Sequence, residues 1–477
     1  MDRNTMKETL DVVIIGAGTG GLSALREVRK RTQNFVIIND GAWGTVCARV
    51  GCMPSKALIE AANAYHRRST FSEFGIQGAN SLTTDIPTVL RRVRQLRDHF
   101  VASTVKTTDD LGRRAISGRA RLLAPDRVEV NGQQLYARSI IIATGSSPIV
   151  PEPWNKLGKR LFTTDTLFEQ ENLPTRMAVL GMGPIGVEMA QALSRLGVDV
   201  IAFGGNQAIG GLTDPQVNAA AIELLGCEFS LNLGEKADLT AINEGLQVRA
   251  GDSEVVVDAV LAALGRRPII DGLGLETLGV SLNEQGMPPI NPNTMQVADL
   301  PIFMAGDVNG QSAILHEAAD EGHIAGFNAT RLAAPVCFTR RTPLAIVFAD
   351  PNIAVVGSQY CALESATTLV GEVTFSNQGR ARVGQHNKGI LRLYAAADSG
   401  RLLGAEMCAP SGEHMAHLLA LAIDRSLTVR ELLHMPFYHP VLEEGLRTAL
   451  RMLAAQLPVD SESDLATCGA FDTEALD

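Results

Sequence analysis

Two cysteines, Cys47 and Cys52, stand five positions apart in the stretch Thr45-Val46-Cys47-Ala48-Arg49-Val50-Gly51-Cys52-Met53-Pro54-Ser55-Lys56. On an undistorted helix, five steps of about 100° leave their side chains roughly 140° apart. A disulfide needs Cβ atoms within about 3.5–4.5 Å, so a bridging pair requires the segment to unwind between them. Gly51 supplies the backbone freedom, and Pro54 is suited to the opening of a helix behind it. Cys52 then lies at the positive end of that helix with Lys56 one turn on, and both features favour a thiolate. The competing reading is two small buried hydrophobes. The place of the pair in the chain decides between them.

That place is set by a nucleotide-binding pattern. The apolar run Asp11 to Ile15 reads as a buried parallel strand, and it leads into Gly16-Ala-Gly18-Thr-Gly-Gly21 and a helical segment, Leu22 to Lys30. In this fingerprint Gly16 allows the tight turn, Gly18 lets a pyrophosphate reach the backbone, and Gly21 lets helix pack on strand. The phosphate meets the helix N-terminus. A second strand, Phe35 to Ile38, ends in Asn39-Asp40, where an acid is expected on the ribose hydroxyls. The cysteines follow directly, at the edge of a bound dinucleotide.

A second strand-turn-helix fingerprint, Gly181-Met-Gly183-Pro-Ile-Gly186, follows the strand Met177 to Leu180. The chain therefore binds two dinucleotides. The next strand, Val198 to Phe203, should end in the residue that chooses between NAD and NADP: an acid for ribose hydroxyls, arginines for a 2′-phosphate. Gly204-Gly205-Asn206-Gln207 is neither. Val256 to Leu264 is expected to be one closing strand.

Gly44-Thr-Val-Cys47 with Gly51-Cys52-Met-Pro-Ser-Lys56 resembles the active-site signature of the pyridine nucleotide-disulfide oxidoreductases, most like their dihydrolipoamide dehydrogenase branch. Further motifs fall in the family's order: Ala143-Thr144-Gly145, Gly265-Arg266-Arg267-Pro268, Ala305-Gly306-Asp307, and His439-Pro440 with Glu444 five residues on. The resemblance implies an α/β protein with two Rossmann-like domains, for FAD and NAD(P), plus a C-terminal α+β dimerisation domain. The implied boundaries are residues 1–150 and 271–342 for the split FAD domain, 151–270 for NAD(P), 343–455 for dimerisation, and a mobile tail, 456–477. It further implies that Cys47 exchanges with substrate while Cys52 faces the flavin. Glu188 pairs with Lys56 beside the flavin ring, although a surface glutamate is the plain alternative. Thr144 and Gly145 return past the flavin, and Asp307 binds its ribityl chain. His439, oriented by Glu444, moves the proton and comes from the other subunit of a homodimer. Histidine titrates in the range that exchange between thiols and disulfides requires.

Two departures stand out. The acid common in dihydrolipoamide dehydrogenases is missing at Gly204, and Phe437-Tyr438 precede His439 where lipoamide-reducing relatives often carry another histidine. The expected activity is FAD-dependent exchange of electrons between NAD(P)(H) and a small dithiol, disulfide or lipoyl group on a partner protein. Another disulfide, a metal ion or a quinone stays open as acceptor, as does a role as a docked component of a multienzyme assembly.

Composition sets outer limits. A chain of 477 residues with 45 glycines exceeds a single core. A net charge of −10 argues against nucleic acid or an anionic membrane surface as partner. No apolar run approaches the roughly 20 residues of a membrane span, and the charged start lacks a signal-peptide core. A cytoplasmic location is expected. Seven scattered cysteines form no disulfide framework and no metal-ligand spacing. Cys227, Cys337, Cys361 and Cys408 are expected to be packing residues, and Cys468 incidental. Arg91, Arg92, Arg94 and Arg97 are expected on a solvated helix face.

Overall fold

The computed structural model describes residues 9–458. The N-terminal start, Cys468 and most of the expected tail lie outside the described residues.

Its first sheet is parallel at its centre, in the order Ala115–Ser117, Phe35–Asn39, Leu10–Ile15, Gln133–Ile142 and then Ile302–Met304. The last strand arrives from far along the chain, so the first unit is completed only after the second has been built. Runs of Val and Ile buried on both faces explain the parallel pairing. The helix Thr19–Val28 packs on Leu315–Ala329, and glycines make this approach close. A Cβ built on Gly322 would fall 2.1 Å from the Gly20 carbonyl oxygen, and one on Gly326 2.5 Å from that of Ala24.

The second unit repeats the pattern in the order Ser230–Leu233, Asp199–Gly204, Arg176–Leu180, Ala259–Ala262 and Leu161–Phe162, all parallel. One expectation fails here. The stretch from Val256 to Leu264 is not one strand, because the chain breaks at Asp258 between Ser253–Val257 and Ala259–Ala262. Asp258 accepts the Arg176 backbone N–H at 2.9 Å and pairs with its guanidinium at 2.8 Å. The break lets Ser253–Val257 end an antiparallel sheet with Asp238–Ile242 and Gly245–Ala250 before the chain enters the parallel one.

The third unit is antiparallel, in the order Leu344–Val347, Asn352–Gly357, Leu402–Ala409, Ile390–Ala396 and Thr368–Thr374, and it is covered by the helices Gly412–Asp424 and Glu443–Ala454. Gln456 and Leu457, read from sequence as the start of a mobile tail, are anchored. Gln456 donates to the Val370 carbonyl at 2.8 Å, and Leu457 packs against the core.

Buried polar groups weld the second unit to the third. Glu406 is fully buried and accepts the backbone N–H groups of Thr213, Asp214 and Tyr360 at 2.7, 2.9 and 3.0 Å. Arg392 pairs with buried Asp214 at 2.7 Å. Charges this deep persist only when paired and hydrogen-bonded. The seam thus fixes how the third unit meets the helix Pro215–Gly226, which Asp214 caps.

Candidate active site

Thr45 caps the short helix Val46–Val50 by accepting the Ala48 N–H at 3.1 Å. Gly51, at φ −117° and ψ −114°, then leaves helical geometry, and a new helix runs Cys52–His66. The unwinding required by the cysteine spacing therefore falls at Gly51. A side chain there would press on the Cys47 Cα at 3.1 Å. Pro54 occupies the first turn of the second helix, where its missing N–H costs no intrahelical bond.

Cys47 and Cys52 are free thiols, both half-buried. The Cys47 S–H donates toward Cys52 and Lys56 lies nearby, so Cys52 is held down at about 7 despite burial. The same hydrogen bond, followed by burial, pushes the Cys47 thiol up. Of the two, Cys52 is therefore the one that gives up its proton more readily.

Lys56 reaches out of this helix to Glu188 on the helix Pro184–Arg195, at 2.8 Å to each carboxylate oxygen. Glu188 is no surface residue: it is 6% exposed. Its Oε1 also accepts the Phe348 backbone N–H at 2.9 Å, and the Lys56 ammonium sits 4.5 Å from the Phe348 ring centroid. All three units meet at this carboxylate. Phe348 had no motif to mark it in the sequence.

The two glycine turns are built alike. Gly16 and Gly181 have φ of +106° and +98°, and a Cβ on either would strike a carbonyl oxygen, of Ala143 at 2.1 Å or Ala263 at 2.3 Å. A Cβ on Gly21 or Gly186 would lie 1.9 or 1.7 Å from the first glycine's own oxygen. Gly18 and Gly183 have nothing within 4 Å in that direction. Neither caps its helix with a side chain. Each turn thus offers open space above uncapped helical N–H groups, which fits a pyrophosphate.

Around the first turn, Asn39 accepts the Ala17 N–H through its side chain at 3.1 Å, while Asp40 is exposed. Thr144 donates to the Ile269 carbonyl at 2.7 Å, and Gly145 turns with φ +76°. Asp307 accepts the Ser146 hydroxyl at 2.5 Å, and Arg266 donates to the same hydroxyl at 2.8 Å. Gly265, at φ +99°, joins this strand pair to the second unit. Below Asp307, buried Glu321 accepts the Gly306 N–H at 2.8 Å and the Asn309 side-chain amide at 2.7 Å, and its carboxyl is raised by burial. Sequence reading missed Ser146 and Glu321.

His439 and Glu444 meet as their spacing implies, with His439 Nδ1 and Glu444 Oε1 3.0 Å apart. Glu444 Oε2 accepts the Val441 N–H, and the histidine contact, followed by that bond, holds its carboxyl below the usual range. The imidazole faces outward, with its side chain 81% exposed. Among the described residues it makes no hydrogen bond or ion pair to Cys47 or Cys52.

Other expectations change. Cys408 is buried, but Cys227, Cys337 and Cys361 are exposed and do not pack. They sit at a helix end and in connecting segments, which run over the surface. Arg91 and Arg92 are solvated, whereas Arg94 donates to the Phe168 and Gln170 carbonyls and Arg97 pairs with Glu169. Half of that face therefore anchors its helix to the second unit.

Comparison with known proteins agrees with this architecture. Residues 10–322 match the pyridine nucleotide-disulphide oxidoreductase model, and residues 344–450 match the dimerisation domain of the same name. A dihydrolipoyl dehydrogenase from Thermus scotoductus is 30% identical over 94% of this chain and 98% of its own. A mercuric reductase from Staphylococcus aureus is 27% identical over 92% of this chain and 81% of its own. The HOCl-induced flavoprotein disulfide reductase RclA from Escherichia coli superposes with a TM-score of 0.81 at 21% identity, covering 93% of this chain and 99% of its own.

Two dinucleotide cradles flanking a dithiol define a nicotinamide-linked dithiol oxidoreductase. The chain belongs to the pyridine nucleotide-disulphide oxidoreductase family. It is an FAD-dependent disulfide oxidoreductase with NAD(P) as its second dinucleotide. No helix among the described residues is long and apolar enough to cross a membrane.

Proposed function

We propose that the chain exchanges electrons between NAD(P)(H) and a lipoyl-type dithiol, as a homodimeric dihydrolipoyl dehydrogenase. The observation that carries this reading is the Cys47–Cys52 pair, placed directly after the first glycine turn and beside the Lys56–Glu188 bridge. The names of relatives such as that from Thermus scotoductus support it. We assign residues 1–150 and 271–342 to FAD, 151–270 to NAD(P) and 343–455 to the dimer contact.

Bound FAD supplies two-electron transfer between the nicotinamide and the cysteines. The remaining steps belong to the protein. Cys52, whose thiol is held down at about 7, is the inner sulfur. Cys47 holds its proton because it donates to Cys52, so it needs a base before it can attack a substrate disulfide. His439 supplies that base across the dimer: with Nδ1–H donated to Glu444, its Nε2 lone pair is free to take the proton. In the opposite direction the same atom returns it. Both oxygens of buried Glu188 accept from the Lys56 ammonium, which is held beside Cys52. The exposed Cys227, Cys337 and Cys361 suit the reducing cytoplasm.

One observation favours a different acceptor. Tyr438, 80% exposed beside His439, gives the base a bulky aromatic neighbour, and the Staphylococcus aureus relative is a mercuric reductase. Steady-state turnover with each nicotinamide against dihydrolipoamide, glutathione disulfide, Hg(II) and a quinone tests the assignment. Dihydrolipoamide is expected to give the highest kcat/KM, and a higher value for any other substrate overturns the lipoyl reading. His439→Gln should slow thiol exchange by about 10²–10⁴-fold while NAD(P)H still bleaches the flavin. Unchanged exchange would remove the base role.

A further inference from the structure

The second cradle carries a residue that distinguishes the two nicotinamides. The position to examine is given by backbone geometry. In the first unit the Gly16 N–H donates to the Ile38 carbonyl at 2.7 Å, and the next residue is Asn39. In the second unit the Gly181 N–H donates to the Phe203 carbonyl at 2.7 Å, and the next residue is Gly204. Gly204 therefore stands where a carboxylate would meet the ribose hydroxyls of NAD. It is buried, and a Cβ there would strike Leu233 Cδ2 at 2.8 Å, so no acid occupies the position; Gly205 after it is exposed and has no side chain either.

A cation that follows the neighbouring strand lies beside Gly205. The chain leaves the strand Ser230–Leu233 through Gly234, whose N–H donates to the Gly204 carbonyl at 2.8 Å, and reaches Lys236 two residues later. A Cβ built on Gly205 would meet the Lys236 Cγ at 3.4 Å. The lysine stem therefore lies against Gly205. Its neighbour Glu235 turns the other way, with its Cγ against Gly251. Gln207 is withdrawn to the Leu233 carbonyl and the Gly234 backbone. Lys236 is exposed, and among the described residues no carboxylate pairs with it.

We infer that Lys236 is a specificity-determining residue that takes the 2′-phosphate of NADP(H), so that this chain prefers the phosphorylated nicotinamide. This rests on the reading of the second unit as the nicotinamide domain, and it is independent of which acceptor meets Cys47. The physical argument is a double one. An acid at position 204 would repel the 2′-phosphate, and none is present. The unpaired ammonium of Lys236, on a stem that lies against Gly205, attracts it and gains a charge-assisted hydrogen bond.

Isothermal titration of the FAD-loaded full chain with adenosine 2′,5′-bisphosphate and with 5′-AMP tests this without turnover. The bisphosphate should bind at least tenfold more tightly. Lys236→Ala should lower its affinity about tenfold while leaving that of 5′-AMP in place, and Lys236→Arg should keep the preference. Equal affinities in the wild type, or a preference untouched in Lys236→Ala, overturns the proposal. Loss of 5′-AMP binding in Lys236→Ala as well would assign the lysine a role in the fold of the loop, and this too overturns it. Stopped-flow bleaching of the flavin by NADPH and NADH, with no acceptor present, should show the same ranking. A 2′-phosphate preference in an enzyme inert toward dihydrolipoamide would sink the lipoyl reading alone.

Discussion

The first and second dinucleotide units share a turn almost atom for atom and diverge at two side chains. In both, the first glycine sits under a carbonyl of the returning strand, and the last glycine lies under 2 Å from the turn's own oxygen if given a Cβ. Seven residues after the first glycine the resemblance ends. In the first unit that residue is Ser23, which is buried 2.9 Å from where a Gly322 Cβ would lie. In the second it is Glu188, which crosses to Lys56 and Phe348. The same helix face that makes one unit a close-packed support makes the other a partner in the chemistry. The second divergence is Asn39 against Gly204, a polar side chain against none.

The strongest test of the shared turn is to fill it in each unit separately. Gly21→Val and Gly186→Val both force a side chain into a backbone oxygen that cannot retreat. Gly21→Val should abolish FAD retention, read from the flavin absorbance of the purified protein. Gly186→Val should keep the flavin but weaken nicotinamide binding at least 100-fold. Loss of both dinucleotides in either variant would show that the units do not fold independently, contrary to the comparison.

A smaller effect is expected where the units meet. Lys56→Met removes the ammonium beside Cys52 while the Cys47 hydrogen bond remains. The thiolate should then form at higher pH than about 7. The sign is fixed by the chemistry: the thiolate fraction rises with pH through the folded value, so raising that value lowers reactivity at neutral pH. Alkylation of the reduced protein by iodoacetamide should be about three- to tenfold slower at pH 7 and equal to wild type at high pH. An unshifted pH profile would leave Cys47 as the sole cause. The variant should also lose roughly 1–3 kcal/mol of stability, because Glu188 stays buried without its cation. Chemical denaturation measures that loss.

The smallest effect concerns the strand ends. Asn39→Gly copies the second unit into the first and removes the acceptor for the Ala17 N–H. One lost hydrogen bond of about 1 kcal/mol should weaken FAD binding roughly fivefold. No change would mean that water replaces the amide.

How much of this could be read from the chain depends on the range of the interactions. The turn glycines were legible because the strand-turn-helix pattern that holds them is local, even though the carbonyls that Gly16 and Gly181 make room for, those of Ala143 and Ala263, come from far along the chain. The break at Gly51 was legible for the same reason, since a C-x4-C pair cannot close on a continuous helix. The strand from Val256 to Leu264 was misread because its break depends on Asp258 finding Arg176, 82 positions away. The cysteines at 227, 337 and 361 were misread because burial is a property of the finished surface.

The sequence by itself determined two dinucleotide turns, a dithiol after the first of them and a histidine with a carboxylate five residues on. These are local patterns, and local sterics and hydrogen bonding are enough to specify them. Only the tertiary structure decided that Glu188 is buried and shared among three units, that Lys56 is held beside Cys52, and that Lys236 lies along Gly205. Each of those depends on chain segments brought together by the core, where burial and low dielectric turn proximity into chemistry.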